Sequence, residues 1–305
     1  MIVVVAPGQG SQAPGFLAPW LELDGARERM TTFADAAGVD LVAAGTEWDA
    51  DAIRDTAVAQ PLIVAASLLA YETLVDRAVS TPDGVAGHSV GELAALYAAG
   101  VLGDATVMRL VGLRGRAMAE AAALEPTGMS AVIGGDAEEV LARIDALGLT
   151  AANHNGGGQI VAAGALEPLA ALAAEPPAGS RVIPLQVAGA FHTAYMAAAV
   201  ETLRAAAAEL VPSDPAIALW TNRDGSRVGD GREALDLVVG QVANPVRWDL
   251  CMAAFADRGV TGIIELAPGG TLVGLAKRSL KGVPAVAIKT PDDLPAALEL
   301  LGGAA

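Results

Sequence analysis

The pentapeptide Gly87-His88-Ser89-Val90-Gly91 has the G-x-S-x-G spacing of a nucleophile elbow. The chemistry of such a serine is acyl transfer through a covalent ester. A sharp turn holds Ser89 in strained backbone, and the flanking glycines remove side chains that would collide around it. The hydroxyl then stands exposed at a helix N-terminus, where the helix dipole and the free N–H of Val90 favour a developing oxyanion. The flanking sequence fits: an apolar run, Gly84–Ala86, leads in, and a helical pattern, Glu92–Ala99, leads out. The bland alternative is a Gly-rich turn whose serine only caps the helix.

A serine hydroxyl needs a base. The chain offers three histidines, His88, His154 and His192. His88 is adjacent to Ser89 in a tight elbow, so its side chain is expected to point elsewhere. His154 lies in the hairpin-like segment Asn153-His154-Asn155-Gly156-Gly157-Gly158, and His192 in Gly189-Ala190-Phe191-His192-Thr193, just before a helical pattern. His192 is favoured because it falls where the chain re-enters a large domain and can face a cleft, with a structural histidine at a helix start as the alternative. Arg114 and Arg116 lie in an otherwise apolar helical run. They are either solvated or, more sharply, one is buried where it can bind a carboxylate bidentately. The loop Pro7-Gly8-Gln9-Gly10-Ser11-Gln12 is not a phosphate loop, because G-x-x-x-x-G-K is absent and position 13 is Ala. Gln12 or a backbone N–H of this loop could complete an oxyanion hole beside Val90.

The elements that must carry these residues alternate. Candidate strands are 2–6, 84–87, 217–221, 262–266 and 285–288, and the clearest helical stretches are 60–79, 105–121, 195–210, 248–258 and 272–280. Such alternation predicts a mainly parallel sheet with helices on both faces, with the site outside the carboxyl ends of the strands. The middle departs from this pattern. Strand 129–133, helix 137–147, strand 149–153, a glycine turn, strand 159–163, helix 166–174 and strand 181–187 read as β-α-β-β-α-β, a ferredoxin-like unit. The expectation is a large α/β domain of residues 1–121 and 188–305 and a small inserted domain of residues 122–187.

Composition narrows the function. A chain of 305 residues with 53% hydrophobic content can bury a large core, and no apolar run reaches the roughly 18 residues of a membrane span. A net charge of −16 argues against nucleic-acid and anionic-membrane partners. The single cysteine, Cys251, excludes an internal disulfide and a cysteine metal cluster, and a cytoplasmic setting is expected.

Taken together, several segments resemble the malonyl-CoA:acyl-carrier-protein transacylases of the bacterial stand-alone type. They are Gly8–Gln12, Gln60-Pro61, Gly87–Glu92, Arg114–Met118, Asn153–Asn155, Gly157–Val161, Gly189–His192, Gln241–Trp248 and Gly269–Leu272, and the likeness covers essentially the whole chain. The resemblance implies a hydrolase-like large domain with a ferredoxin-like insert and a ping-pong transfer of malonyl from CoA to the carrier's phosphopantetheine thiol, for fatty-acid synthesis. A discrete polyketide acyltransferase and an acyl hydrolase are the alternatives. It further implies Ser89 as nucleophile, His192 as base oriented by the Gln241 carbonyl, Gln12 and Val90 as oxyanion donors, and Arg114 on the malonyl carboxylate. Asn153 and Asn155 would touch the CoA or pantetheine arm. Phe191 would exclude a methylmalonyl branch, and Met118 and His88 would complete the substrate-binding set. No metal or bound cofactor is implied; CoA is substrate and product. The partners implied are malonyl-CoA and an acyl carrier protein, with a monomer left open. Lys277, Arg278 and Lys281 are candidates for meeting an acidic carrier.

Overall fold

The computed structural model describes residues 1–302. In chain order the elements are β1 (Ile2–Ala6), α1 (Ala26–Ala37), α2 (Leu41–Thr46), α3 (Thr56–Arg77), β2 (Gly84–Gly87), α4 (Gly91–Ala98) and α5 (Asp104–Ala122). Next come β3 (Thr127–Gly134), α6 (Ala137–Ala146), β4 (Thr150–Gly156), β5 (Gln159–Ala165), α7 (Leu166–Ala174) and β6 (Ser180–Pro184). The remainder is α8 (Ala197–Ala208), β7 (Ala218–Trp220), β8 (Arg227–Val228), α9 (Gly231–Gln241), β9 (Val246–Arg247), α10 (Trp248–Asp257), β10 (Gly262–Glu265), α11 (Thr271–Ser279), β11 (Ala285–Ala287) and α12 (Leu294–Gly302).

Two sheets result. The larger has the order β11-β10-β1-β2-β7-β8, parallel throughout except for β8, which runs antiparallel to β7. Its central strand β1 is a continuous apolar run because both faces are covered. Val4 and Ala6 enter the core beneath α3, α4 and α5, while Val3 and Val5 pack with Trp248, Cys251 and Phe255 of α10. The second sheet has the order β6-β3-β5-β4-β9. Its first four strands are antiparallel in the 4-1-3-2 arrangement of a ferredoxin-like unit, and β9 pairs in parallel with β4. One face of this sheet packs with α6 and α7 through Val132, Val140, Ile144 and Leu172. Met129, Ala131, Val161 and Ala163 on the other face join the main core.

Several boundaries differ from expectation. α3 begins at Thr56, because Asp55 caps it by accepting the Ala57 N–H; Pro61 therefore lies inside the helix and not at its start. β6 ends at Pro184, a proline tolerated because β6 is an edge strand, and one further bond, from the Leu185 N–H to the Met129 carbonyl at 2.9 Å, continues the pairing. The stretch expected as a helix from residue 195 opens with a 3-10 turn, Ala194–Met196, before α8. α3 is also long and apolar enough to span a membrane, but most of it is buried within the molecule.

Candidate active site

β1 and β2 run side by side with Ala6 opposite Gly87, so both loops that follow them leave the same sheet edge. Beyond Gly87 the chain turns sharply. Ser89 has φ 54° and His192 φ 62°, and no other non-glycine residue among the described ones has positive φ. Such backbone costs about 1–3 kcal/mol per residue and persists only when its surroundings hold it. Here they do. A Cβ on Gly87 would lie 2.0 Å from the Gly91 carbonyl carbon, and one on Gly91 2.2 Å from the Ala6 oxygen. The Ser89 N–H donates to Asn222 Oδ1 at 2.8 Å, Asn222 Nδ2 donates to the Gly87 carbonyl at 2.8 Å, and the His192 N–H donates to the Val242 carbonyl at 3.1 Å.

The two strained residues meet. Ser89 Oγ stands 2.7 Å from His192 Nε2, and His192 Nδ1 donates to the backbone carbonyl of Gln241 at 2.8 Å. That second bond fixes the tautomer and leaves Nε2 free to accept the serine proton. Burial, reinforced by the charge of Arg114, holds the His192 pKa down to about 3, so the ring is neutral and ready as a base. The turn itself uses the N–H groups of Gly91, Glu92 and Leu93, on the carbonyls of His88, Ser89 and Val90. Val90 is left at the start of α4 beside the serine.

Arg114 is the buried member of its pair, 1% exposed, whereas Arg116 is exposed and donates to the Ala37 carbonyl. Two glycines let α5 lie this close: a Cβ on Gly112 would sit 2.3 Å from the Ala37 oxygen, and one on Gly115 2.9 Å from the Thr56 oxygen. Arg114 Nη1 donates to Gln60 Oε1 at 2.6 Å and Nη2 to Gln241 Oε1 at 3.1 Å, while Nε has no partner. Burial lowers its pKa and the charge of Glu92 opposes that, so the guanidinium keeps its charge. Neither Glu92, though it closes the Gly87–Glu92 segment, nor Asn222 carries a role in the sequence reading. Glu92 is a lone carboxylate in an otherwise apolar helix turn, and Asn222 follows the carboxyl end of β7; those placements were their only signals.

The cleft above the pair has about 150 Å³ of free volume, room for a short acyl group. Ser89, Val90, Met118, Phe191 and His192 line one side, and Asn153, Asn155, Met129, Val161, Leu185 and Val187 the other. His88 turns away from Ser89: its Nε2 is 2.8 Å from Asn155 Oδ1, and the ring stands edge-on to Trp248. Asn155 Nδ2 donates to Gln159 Oε1 at 2.9 Å. His154 is half-buried beside Arg247 and Asp249, outside this cleft, so among the three histidines it is His192 that meets Ser89. Gln12, expected as an oxyanion donor through its N–H, does not line this cleft. Its side chain folds back, accepting the Gly10 N–H and donating to the Ile53 carbonyl, and Gln9 lines the cleft in its place. Register explains this: with Ala6 opposite Gly87, Gly8 packs against His88 and Gln9 reaches the level of Ser89. The third edge of the cleft is α11, which contributes Leu272 and Leu275 and exposes Lys277 and Arg278. Buried Glu265 holds the start of α11 by accepting the N–H groups of Gly270, Leu272 and Val273.

Known proteins resemble this chain along nearly its whole length. The family model described as acyl transferase domain matches residues 3–292. The malonyl CoA-acyl carrier protein transacylase of Mycobacterium tuberculosis (strain ATCC 25618 / H37Rv) is 52% identical over 296 residues, spanning 96% of this chain and 98% of that one. The crystal structure of MCAT from Mycobacterium tuberculosis superposes with a TM-score of 0.95 at 52% identity, covering 98% of this chain and 99% of that one. A malonyl-transacylase solved in complex with its type II polyketide acyl-carrier protein superposes with a TM-score of 0.90 at 31% identity, covering 98% and 99% of the two chains. With this near full-length agreement in sequence and fold, the chain belongs to the malonyl CoA-acyl carrier protein transacylases of the acyl transferase family.

Proposed function

We propose that this chain transfers a malonyl group from malonyl-CoA to the phosphopantetheine thiol of an acyl carrier protein, through an ester on Ser89, and so supplies extender units for fatty-acid synthesis. The observation that carries the reading is Arg114: a buried cation behind the Ser89–His192 pair, held by two neutral amide oxygens and with Nε unpaired. Such a group calls for an anion, and a malonyl carboxylate provides one.

His192 takes the Ser89 proton as Oγ attacks the thioester carbonyl. The tetrahedral oxyanion is held by backbone N–H groups of Val90 and Gln9, CoA leaves as the thiol with the proton that His192 returns, and the malonyl-serine ester remains. The carrier thiol then gives its proton to His192 and attacks the ester carbonyl, and His192 returns that proton to the leaving Ser89 Oγ. Asn153 and Asn155 are read as contacts of the CoA or pantetheine arm. Phe191 and Met118 are read as walls against bulkier acyl groups. His88 belongs to the substrate-binding set through the Asn155 side chain that it holds. Residues 122–187 are read as an inserted unit supplying one wall of the cleft. Lys277 and Arg278, exposed at the last turn of α11, suit an acidic carrier. We place the reaction in the cytoplasm, with CoA as substrate and product and no resident cofactor or metal.

The test is a steady-state assay with malonyl-CoA, acetyl-CoA and holo carrier protein on the wild type and Arg114→Gln. The expected result is malonyl-carrier formation by the wild type, and a loss of malonyl over acetyl preference in the variant of roughly a hundredfold. Release of free malonate without malonyl-carrier would make the protein a hydrolase and contradict the reading.

A further inference from the structure

Behind the Ser89–His192 pair runs a set of buried hydrogen bonds that the transfer steps do not use. Glu92, in the first turn of α4, is 3% exposed. Its Oε1 accepts the Asn222 N–H at 2.6 Å, and its Oε2 accepts Gln241 Nε2. Asn222 Oδ1 accepts both the Ser89 N–H at 2.8 Å and Gln241 Nε2 at 3.1 Å. Gln241 in turn accepts Arg114 Nη2 on its side-chain oxygen and His192 Nδ1 on its backbone oxygen. One carboxylate therefore stands within two hydrogen bonds of the elbow backbone and of the arginine.

The polarity of this relay is not arbitrary. A carboxylate only accepts. Facing Glu92 and Asn222 Oδ1, the Gln241 amide must turn its NH2 toward them and its oxygen toward Arg114. An amide at position 92 that still accepted the Asn222 N–H would aim its NH2 at the NH2 of Gln241. Gln241 could escape that clash only by flipping, which would point its NH2 at the guanidinium. Either way a buried cation loses its acceptor or two buried donors face each other, and both are costly.

We infer that Glu92 is a positioning residue for substrate selection: by fixing the orientation of the Gln241 amide and balancing the buried charge, it keeps Arg114 aimed at an acyl carboxylate. This rests on the malonyl reading above. Burial pushes the Glu92 carboxyl up to about 8, while the Asn222 N–H and the Arg114 charge favour its ionised form. Both carboxylate oxygens face donors, so the relay belongs to the ionised form and is lost on protonation. The groups around it are Arg114 of α5, Asn222 and Thr221 after β7, Gln241 of α9 and Cys251 of α10, whose thiol burial pushes up.

The experiment measures acylation by malonyl-CoA and by acetyl-CoA, with KM and kcat for each, in the wild type and Glu92→Gln, beside their melting temperatures. Glu92→Gln is expected to lower the malonyl-to-acetyl ratio by roughly ten- to a hundredfold, mainly through KM for malonyl-CoA. A merely structural role would depress both donors alike. An unchanged ratio in Glu92→Gln, or an equal fall for both donors, overturns the inference. Should that variant not fold, the wild type still decides. Its malonyl-to-acetyl ratio must fall as pH is lowered from about 9 to 6, because protonating Glu92 breaks the relay; a flat ratio overturns the inference. A wild type that takes no malonyl at any pH overturns the underlying reading, and this inference with it. A wild type that loads malonyl with a ratio Glu92→Gln leaves alone overturns this inference only.

Discussion

The two walls of the cleft are built on different principles. On the elbow wall, Ser89 and His192, with Arg114 and Gln241 buried behind them, are fixed by strained backbone, close glycine contacts and buried hydrogen bonds between charged or strongly polar groups. On the opposite wall, Asn153 and Asn155 are neutral amides on β4, a strand whose register with β5 shifts twice, between Ala151 and Asn153 and between His154 and Gly156. Apolar side chains surround them. The first wall holds reacting atoms to fractions of an ångström, as covalent chemistry requires. The second offers shape and neutral hydrogen bonds, which suits a long uncharged arm that must enter and leave. The His88–Asn155 contact at 2.8 Å ties the two walls together.

The sharpest way to break this division is His192→Ala. Loss of the base is expected to slow acylation by roughly a hundred- to ten-thousandfold with little change in KM. The same variant tests the electrostatics. The folded-state pKa of His192 lies at about 3, below its unfolded value, so the unfolded chain binds the proton first. Its contribution to stability is complete above the unfolded pKa near 6.5 and is lost as pH falls toward 3, at about 1.4 kcal/mol per pH unit. Acid unfolding of His192→Ala is expected to lack that slope; an identical slope in both proteins would contradict the buried neutral histidine.

A smaller effect separates selection from chemistry on the elbow wall itself. Phe191 is 5% exposed and lines the cleft. Phe191→Ser opens space for one more methyl, worth roughly a few-fold to tenfold in relative use of methylmalonyl-CoA over malonyl-CoA. An unchanged ratio in competition assays would show that the ring does not set the limit. Smallest is Asn155→Ala on the other wall, which removes the His88 partner. The expectation is a KM for malonyl-CoA raised by roughly a few-fold with kcat retained, and stability lower by about 1–2 kcal/mol. A fall in kcat comparable with that of His192→Ala would erase the distinction between the walls.

Legibility in the sequence follows the same line. Ser89 was readable because an elbow is local: five residues, a preceding apolar run and a following helix define it. The strand–helix alternation and the β-α-β-β-α-β order were readable for the same reason, since each element carries its own period. Local pattern leaves Arg114 level with Arg116 and only the resemblance picks it out; what buries it, α5 pressed against the Ala37 and Thr56 carbonyls, depends on distant chain. That Gln9 and not Gln12 lines the cleft follows from the register of β1 against β2, a pairing property invisible along one strand. Glu92, Asn222 and the Gln241 side chain lie up to 149 positions apart and meet only after folding. The two-residue strands β8 and β9 are too short to carry a pattern at all.

The measurement that reaches furthest is intact-mass spectrometry of the protein seconds after mixing with malonyl-CoA, beside Ser89→Ala, followed by addition of holo carrier protein. The expected result is a gain of one malonyl group on the wild type, none on the variant, and transfer of that mass to the carrier. An adduct that persists in Ser89→Ala, or malonyl-carrier formed with no acyl-enzyme on the path, would contradict a covalent mechanism at the elbow serine.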